Sequence, residues 1–364
     1  MSLAEPSPGE LAANPSLLNP TMKIGIEQEF VFADKTGRYL DGDNASYAVF
    51  SEIVDQFPAF EGDDAFLECK SLEKFPKRCY VEGFELHDTE GKTVETIPKG
   101  LEIRTLPHGN VEELVAEFRN TFVEVMRLTR QAGLVPVLTS RHPFKQTLAL
   151  DSRIGAAEHQ VRTESRLTLA KRSMLSHGLH VNLSVSNYSP EKMQSIVEKL
   201  NYYTPSLVPW SYSSPFYQGK EFAGLCSRNY FRAGTRSMAD LDERQGLQVL
   251  EFRAFDACGD ARLLSALLQM YCGFILEDTL PGRSATQDSE RLMRSSVAGF
   301  GDAEFREEGR AILRASRAAL GDGGDALELL EVMLEQNDSW SARMKSCYAK
   351  TGSIMDCISE RYKF

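Results

Sequence analysis

The sequence lacks long hydrophobic runs, an excess of basic residues and any closely paired cysteines. No stretch of its 364 residues approaches the ~18 consecutive apolar residues of a membrane-spanning helix. Asp and Glu outnumber Lys and Arg by 52 to 41, giving a formal net charge of -11, which disfavours nucleic acid or an anionic membrane as partner. The seven cysteines include no CxxC pair, and this odd number suits reduced thiols in the cytoplasm better than a disulfide framework or a zinc site.

The N-terminus lacks the basic stretch and the apolar run of a signal peptide. Residues 1–20 are instead rich in proline, and we expect them to form a poorly ordered tail. The remaining length is enough for one large domain with a substantial core. We expect a main domain over residues 21–280 and a C-terminal helical extension, residues 281–364, packed on the same domain.

The order of strand and helix patterns indicates the fold class. The first half alternates strands with helices of irregular length, and it includes a hairpin that turns at Asp88–Gly91 and a helix between an Asn110 cap and a Gly133 stop. Residues 247–255 are the last strand pattern. The helical patterns that follow lie near 261–280, 287–298, 303–320, 324–336 and 338–359. Such an order predicts an α+β protein with a largely antiparallel sheet.

The segment MKIGIEQEF, residues 22–30, sets two carboxylates, Glu27 and Glu29, among apolar neighbours. At the two-residue period of a strand, the apolar even-numbered residues share one face, and Glu27 and Glu29 share the other. Two carboxylates about 7 Å apart on one face repel each other unless solvent or a cation screens them. For one such strand, a solvated outer face is the simplest interpretation.

Three further strand patterns repeat this arrangement. Each is apolar on one face and carries acid, imidazole, amide or guanidinium groups on the other. The polar residues are Glu102 and Arg104 in GLEIRTL, His180 and Asn182 in GLHVNLSV, and Glu251 and Arg253 in VLEFRAF. A solvated sheet face usually favours Thr, Lys and β-branched residues, so the repetition favours a functional face.

If these strands pair, their glutamates and His180 form one acidic patch, flanked by Arg104 and Arg253. Oxygen-rich groups of this kind suit Mg²⁺ or Mn²⁺, whereas zinc would need more His or Cys. The arginines indicate an anionic substrate over the metal ions, because a planar guanidinium matches carboxylate or phosphate oxygens. A two-metal hydrolase or a phosphotransferase is an alternative, since carboxylate-rich metal sites serve those reactions too.

An ordered set of motifs resembles the glutamate–cysteine ligase-like carboxylate–amine ligases, within the glutamine synthetase-like superfamily. The motifs are GIEQEF, GLEIRTLPH, GLHVNLSV and LEFRAFDACGDARLLSALL, together with TSRHPF and SSPFYQGKEFAGLCSRNYF. The resemblance covers about residues 22–280 and, more weakly, the helical tail. It implies that residues 21–280 form a catalytic domain, a curved bowl of antiparallel strands with helices on its outer face.

The resemblance also implies roles for individual residues. The bowl would hold Mg²⁺ or Mn²⁺ ions, with ATP entering at one side and the acceptor amine at the other. The implied metal ligands are Glu27, Glu29, Glu102, His180 and Glu251, with Glu95 as a candidate for a further acid. Arg253 is implied to steady the acyl phosphate, with His180 at the metal or the γ-phosphate. The residues implied to bind substrate or nucleotide are Arg104, Asn182, Arg228 and Arg232.

The implied activity is ATP-dependent ligation of glutamate, or a similar amino acid, to an amine through an acyl phosphate. Its substrates would be small molecules, and the acidic helical tail would serve as a packing or oligomer element. A non-catalytic nucleotide-binding homologue is a further alternative. The chain departs from many carboxylate–amine ligases at Asn182, where a second histidine is usual, so the identity of the amine stays open. His142 matches the family, yet it is equally consistent with a structural role.

Overall fold

The computed structural model describes residues 21–70, 72–244, 246–321 and 326–364. The expected tail, residues 1–20, lies outside these residues. Among the described helices, none combines the length and the apolar character that crossing a bilayer requires.

The described residues form the strands β1 (Met22–Asp34), β2 (Cys79–His87), β3 (Thr93–Arg104), β4 (Leu134–Val137), β5 (Gly178–Val185), β6 (Phe216–Tyr217), β7 (Lys220–Glu221), β8 (Ala239–Arg244) and β9 (Leu247–Asp256). Seven of these strands form an antiparallel sheet that curls into a half-barrel. Its order is β2-β3-β1-β5-β9-β8, with β4 paired to the end of β1, while β6 and β7 form a separate small hairpin. The predicted α+β class with a curved antiparallel sheet is confirmed.

Strand β1 lies inside the sheet and packs its even-numbered residues into the core. Ile24, Ile26 and Phe30 are at most 1% exposed. Gln28 is the buried polar member of this face, and it exchanges two hydrogen bonds with the backbone of Cys258, donating one at 3.0 Å and accepting one at 2.9 Å. The buried amide is therefore satisfied. The odd-numbered carboxylates of β1 point to the opposite face.

Helices surround the sheet, and several begin at side-chain caps. Asn110 accepts a hydrogen bond from the Glu113 amide at 2.7 Å, as predicted, and Asp260 accepts two at the start of α7. The helices are α1 (Tyr47–Gln56), α2 (Val111–Gln131), α3 (Ala156–Val161), α4 (Glu164–Ser173), α5 (Pro190–Leu207), α6 (Ser227–Arg232), α7 (Ala261–Leu276), α8 (Ser289–Ala298), α9 (Ala303–Leu320), α10 (Leu327–Gln336), α11 (Trp340–Thr351) and α12 (Ile354–Ile358).

Aromatic side chains join the apolar face of the sheet to the helix layer. Phe30 of β1 lies 5.5 Å, between ring centroids, from Phe122 of α2, and Phe122 lies 4.7 Å from Phe364. Phe252 of β9 stacks on Tyr271 of α7 at 5.4 Å. Such ring pairs stabilise packing beyond the area they bury. The sheet is therefore anchored from its apolar side.

Three local features differ from the sequence expectation. Strand β8 was not predicted, because the apolar alternation of its sequence, ADLDER, ends at Leu241 and its last three residues are exposed. The single helix expected over 338–359 is two helices, divided at Gly352, which has φ 66°, and started again by the Ser353 cap. Helix α5 continues through Pro205 to Leu207, whereas the sequence pattern predicted a helix over residues 190–203 only.

Candidate metal and substrate site

The strand register brings the predicted polar residues onto one face of the sheet. Directly opposite residues of an antiparallel pair share a face, so the side chains of four neighbouring strands meet there. The opposed pairs are Glu27 with Arg104 and with His180, Glu29 with Glu102, and Asn182 with Glu251.

Glu27, His180 and Glu251 form the first of two groups with the spacing of metal ligands. One donor atom from each residue lies within 4.8 Å of the others. His180 Nδ1 is 3.5 Å from Glu251 Oε1 and 3.8 Å from Glu27 Oε2. Burial alone would raise the pKa of Glu27, but the contact with His180 and the charge of that imidazole outweigh burial and hold the pKa below its usual value. Glu27 is therefore ionised at neutral pH, as a metal ligand must be.

Glu29, Glu82 and Glu102 form the second group, again with donor atoms within 4.8 Å of one another. Glu82 reaches it from β2, where it lies opposite Gly100 of β3. Burial raises the pKa of Glu102 well above its usual value, and the nearby carboxylates raise it further. Burial likewise raises the pKa of Glu82 to about 7. These carboxylates repel one another, and a cation between them would remove the repulsion.

Lys99 fixes the orientation of Glu29. Its ammonium donates to Glu29 Oε1 at 2.6 Å and to the backbone oxygens of Ser173 and Ser176 at 3.2 and 3.1 Å. The other Glu29 oxygen accepts the Gly178 amide at 2.7 Å. Burial would raise the pKa of Glu29, but the charge of Lys99 outweighs it and lowers the pKa to about 2. Glu29 is therefore an oriented, permanently charged carboxylate.

The donor set of the two groups fits Mg²⁺ or Mn²⁺. It comprises five carboxylates and one imidazole and contains no thiol. Hard divalent cations prefer oxygen ligands of this kind, whereas zinc sites are usually richer in His and Cys. The raised pKa values of Glu82 and Glu102 indicate that these buried carboxylates have too little positive charge beside them. The residues present therefore fit a divalent cation in each group.

Arg253 is held beside the first group by two acidic side chains. Its Nε donates to Glu251 Oε1 at 2.6 Å, and its two amino groups bond to Glu251 and to Asp240 of β8. Both ends of the guanidinium are thus fixed, and it lies next to a candidate metal ligand. The unpredicted strand β8 supplies one of these two partners.

A cavity of about 370 Å³ opens beside both groups. Its lining includes His180 and Glu29, one residue from each group. Most of the remaining lining comes from α4, from α6 and from the loops near them. Five of the lining residues are arginines, namely Arg141, Arg172, Arg228, Arg232 and Arg236. A cationic cavity therefore adjoins the acidic groups, which is suited to an anionic substrate that also contacts metal ions.

Arg228 and Arg232, both expected to bind substrate or nucleotide, differ in their surroundings. Arg228 is 1% exposed, donates to the carbonyl oxygens of residues 253–255, and lies 3.4 Å from Asp256. Most of its donors are thus used within the protein, where they fix the end of β9. Arg232 is half-buried and donates to the Arg253 carbonyl oxygen at 3.0 Å. Of the two, Arg232 is the better placed to meet a ligand.

Glu95 does not join the carboxylate groups. It lies in β3 opposite Leu86, is exposed, and pairs with Arg153 at the surface. At the rise of a strand, seven residues separate it from Glu102 by about 23 Å. The third carboxylate of the second group is instead Glu82, on the neighbouring strand.

Arg104 lies on the expected face but is engaged by the protein. It is 4% exposed, and its Nε donates to the Lys77 carbonyl oxygen at 2.8 Å. Its guanidinium lies over the Tyr80 ring at 4.9 Å, and one amino group is 3.6 Å from Glu73. These contacts make Arg104 part of the wall of the site.

Asn182 has an unused hydrogen-bond acceptor, whereas both ring nitrogens of His142 form hydrogen bonds. Within the described chain, the buried Asn182 Oδ1 has no hydrogen-bond partner, so it is an available acceptor on the functional face. His142 Nε2 lies 2.9 Å from Asp41 Oδ2, and its Nδ1 accepts the amides of Phe144 and Lys145. Both ring nitrogens of His142 are used, which gives it a structural role in the turn that follows it.

Sequence reasoning missed Glu82, Lys99, Asp240 and three arginines of the cavity, Arg141, Arg172 and Arg236. Lys99 could not be found from periodicity, because the register between β2 and β3 shifts there and leaves Lys99 as the extra residue of a bulge. The segment CYVEGFELH carried an alternating pattern that could have identified Glu82.

The likeness to solved structures shows the fold. The structure of glutamate–cysteine ligase from Francisella tularensis in complex with AMP covers 94% of this chain and 88% of its own, with a TM-score of 0.58 and 11% identity.

Curated proteins of bacteria are similar in sequence. "Putative glutamate--cysteine ligase 2" of Mycolicibacterium paratuberculosis is 27% identical over 201 residues, which are 55% of this chain and 43% of that protein. "Putative glutamate--cysteine ligase 2-1" of Streptomyces avermitilis is 25% identical over 315 residues, with 71% of this chain and 84% of that protein covered. The match thus spans under half the length of the first relative and most of the second.

A family model gives the strongest of these likenesses. Residues 23–239, more than half of the chain, match the model described as glutamate-cysteine ligase family 2 (GCS2). The matched range contains the first carboxylate group except Glu251, the whole of the second group, and the arginines of the cavity. The chain belongs to glutamate-cysteine ligase family 2.

Proposed function

We propose that this protein is an ATP-dependent carboxylate–amine ligase that activates a carboxylate as an acyl phosphate and forms a γ-glutamyl-type amide. One observation carries the proposal. Two groups of carboxylates adjoin a cavity lined by arginines, and His180 and Glu29 belong to both the groups and the cavity. Membership of glutamate-cysteine ligase family 2 and the names of the relatives support the same reaction class.

The two carboxylate groups are the sites for divalent cations. Glu27, His180 and Glu251 hold one cation, and Glu29, Glu82 and Glu102 hold another. Bound Mg²⁺ or Mn²⁺ neutralises phosphate oxygens and aligns the γ-phosphoryl group for transfer. Lys99 keeps Glu29 ionised and oriented whether or not a cation is present.

The chemistry requires charge stabilisation and positioning, with no nucleophile from the protein. An oxygen of the substrate carboxylate attacks the γ-phosphorus of ATP, and ADP leaves. The amine then attacks the acyl carbon, and phosphate leaves with the bonding electron pair. Both steps gather negative charge on oxygen atoms. Arg253, fixed beside Glu251, supplies oriented positive charge where the acyl phosphate forms.

Glutamate is our candidate for the acid substrate and cysteine for the amine, because both stand in the names of the relatives. The cationic cavity supports an acid with a second anionic group. The amine is the less constrained of the two, since no described group on the functional face selects one amine over another.

The experiment combines product analysis with a matched pair of variants. Purified protein is incubated with Mg²⁺, ATP, glutamate and a panel of amines that includes cysteine, and ADP and amide are quantified by mass spectrometry. We expect ADP and one amide in equal amounts. Glu27→Gln should abolish both products, and Glu90→Gln, at an exposed turn, should change neither.

Two other results would overturn the proposal. ADP formed without amide, at a rate independent of amine, would indicate a phosphotransferase or hydrolase. If the protein binds nucleotide but forms no ADP with any of the tested amines, it is a non-catalytic binding protein.

A further inference from the structure

Two thiols, those of Cys347 in α11 and Cys357 in α12, lie side by side near the C-terminal end of the chain. The backbone turns at Gly352 between the two helices. Thr351 joins the two cysteines, because its hydroxyl group donates to the Cys347 carbonyl oxygen at 3.2 Å and lies 3.5 Å from Cys357 Sγ. Cys347 Sγ in turn lies 4.0 Å from the carbonyl oxygen of Asp356, the residue before Cys357. The two thiols are thus in contact.

The two thiols differ in their exposure. Cys357 is 1% exposed, whereas Cys347 is half-buried. Burial and the neighbouring Cys347 thiol raise the pKa of Cys357 to about 11. Cys357 is therefore protonated at neutral pH, and a protonated thiol is a poor nucleophile. A small reagent in solution meets Cys347 first.

Cationic side chains surround the Cys347 sulfur. An amino group of Arg361 donates to this sulfur at 3.6 Å. Cys347 also lines a surface hollow of about 470 Å³, together with Arg343 and Lys350. Arg343 is already paired with Asp338, which leaves Lys350 and Arg361 to meet an anion. The hollow is thus suited to a thiol reagent that carries carboxylate groups.

We propose that Cys347 and Cys357 form a thiol–disulfide exchange site for a small acidic disulfide. The Cys347 thiolate attacks one sulfur of the small molecule, whose S–S bond breaks, and the leaving thiolate takes the bonding electron pair and a proton. Cys357 then loses its proton and attacks the Cys347 sulfur of the mixed disulfide, and the second small thiol leaves in the same way. Two protein thiols are oxidised, and one small disulfide is reduced to two thiols.

The exchange site is separate from the proposed ligase site. None of its residues belongs to the two carboxylate groups or to the cationic cavity. The inference therefore goes beyond the proposed ligase function and does not depend on it. Cys347 is the attacking thiol, and Cys357 is the resolving thiol that completes the internal bond.

The internal disulfide ties α12 to α11, and the end of α12 supports strand β4. The Ile358 carbonyl oxygen accepts the Leu138 amide at 2.8 Å, and the Glu360 amide donates to the Pro136 carbonyl oxygen at 2.9 Å. A covalent ring over residues 347–357 restricts the opening of α12 away from these partners. Oxidation should therefore slow hydrogen exchange at the Leu138 and Glu360 amides.

Mass spectrometry of the whole protein tests the site, with dithiodiglycolate as the acidic disulfide. The Cys69→Ser background is used, because Cys69 is exposed and would react independently. We expect the chain to lose the mass of two hydrogen atoms, and proteolysis to yield one product in which Cys347 and Cys357 are joined. Dithiothreitol should restore both thiols. No reaction, or a mixed disulfide at Cys347 that never resolves, would overturn the proposal.

Two serine variants test the roles of the cysteines. Cys357→Ser should stop the reaction at the mixed disulfide, so that the chain gains one thioglycolate group at Cys347. Cys347→Ser should leave Cys357 unmodified over the same time, because that thiol is buried. Melting curves identify a variant that fails to fold, and an alanine at the same position then takes its place. Modification of Cys357 in Cys347→Ser at the rate of the parent chain would refute the assigned roles.

Charge selection is tested by comparing dithiodiglycolate with cystamine, a small disulfide of opposite charge. Lys350→Met and Arg361→Met should each lower the rate with dithiodiglycolate by about fivefold relative to the rate with cystamine, as the loss of one nearby unit charge implies. Because each variant is judged by this ratio, the intrinsic reactivity of the two reagents cancels. Arg166→Met, at an exposed position of α4, should leave the ratio unchanged. The same ratio in all three variants and the parent chain would overturn the acidic preference.

Hydrogen exchange measured by mass spectrometry tests the tie between the helices. In the oxidised chain, the amides of Leu138 and Glu360 should exchange more slowly than in the reduced chain. The Cys357→Ser chain, treated with the same reagent, is the control and should show no such slowing. Equal exchange in the oxidised and reduced chains would show that the bond does not restrain α12.

Discussion

Lys99 and Glu29 form a buried ion pair between β3 and β1, with 2.6 Å between Nζ and Oε1. The pair exists because β3 carries a bulge at Lys99, where the register with β2 shifts between Glu82 and Gly83. A regular strand would direct this lysine to the apolar face. The bulge instead places its ammonium among the carboxylates of the second group, 2.6 Å from Glu29 and 3.5 Å from Glu82.

The ion pair leads to a prediction on stability. Lys99→Met should destabilise the metal-free protein by about 3–5 kcal/mol, because removing one partner of a buried pair leaves the other unpaired. Mg²⁺ or Mn²⁺ should restore part of this loss, since a cation among Glu29, Glu82 and Glu102 replaces the missing charge. Thermal melts with chelator and with metal measure both effects.

The matched control is Lys192→Met, which removes a surface ion pair with Asp278 and should cost less than about 1 kcal/mol. If Lys99→Met melts at the wild-type temperature, or if metal does not raise its melting temperature, the proposed link between the ion pair and the metal group is wrong.

The polar face was predictable because regular strands obey a two-residue period. Glu27, His180 and Glu251 were identified from that period, and the structure brings them together. Lys99 was hidden by a bulge, and Glu82 belongs to a hairpin arm that was assigned no role. Arg141 lies outside the named strands, in the loop that follows β4, where no period applies. Periodicity identifies side chains on regular strands. It gives no information about side chains in bulges and loops, or on strands as polar as β8.

A second prediction concerns pH. Glu117 accepts hydrogen bonds from the Leu106 amide at 2.8 Å and from His108 at 3.0 Å, and it lies 3.2 Å from Arg78. Burial raises the pKa of Glu117, but the bond with His108 and the other contacts outweigh burial and hold the pKa below its usual value. A lowered pKa stabilises the fold above the unfolded-state pKa, and that stabilisation is lost as pH falls through the folded-state pKa.

The stability advantage of wild type over Glu117→Gln should therefore be full above about pH 5 and should vanish at lower pH. Urea unfolding between pH 3 and pH 7 measures the difference, and Glu113→Gln, an exposed neighbour on α2, should show little difference at any pH. A constant difference across this range would contradict the assignment.

A third prediction concerns the first carboxylate group. Glu27→Gln keeps the shape of the side chain and removes one negative charge. Activity should fall by orders of magnitude, with partial rescue at high Mn²⁺, because a ligand is lost and metal affinity drops. Steady-state rates over a Mn²⁺ series provide the readout. Unchanged turnover with raised thermal stability would show that Glu27 is only a repulsive carboxylate.

A fourth prediction separates Arg253 from Glu251. Arg253→Lys keeps the charge but cannot bond to Glu251 and Asp240 with a planar fork, so turnover should fall by about 100-fold while ATP binding stays close to wild type. Glu251→Gln should instead weaken ATP binding in the presence of Mg²⁺, because it removes a proposed metal ligand. Calorimetry and steady-state rates distinguish the two losses. Arg253→Lys with turnover within a few-fold of wild type would refute the role of Arg253.

In the proposed reaction, the substrate carboxylate attacks ATP and becomes an acyl phosphate. The direct measurement uses an acid substrate with both carboxylate oxygens labelled with ¹⁸O, followed by mass spectrometry of the phosphate and the amide. We predict one ¹⁸O in the released phosphate and one in the amide, because the oxygen that attacks phosphorus leaves with it. Release of unlabelled phosphate, while the acid keeps both ¹⁸O atoms, would contradict the account.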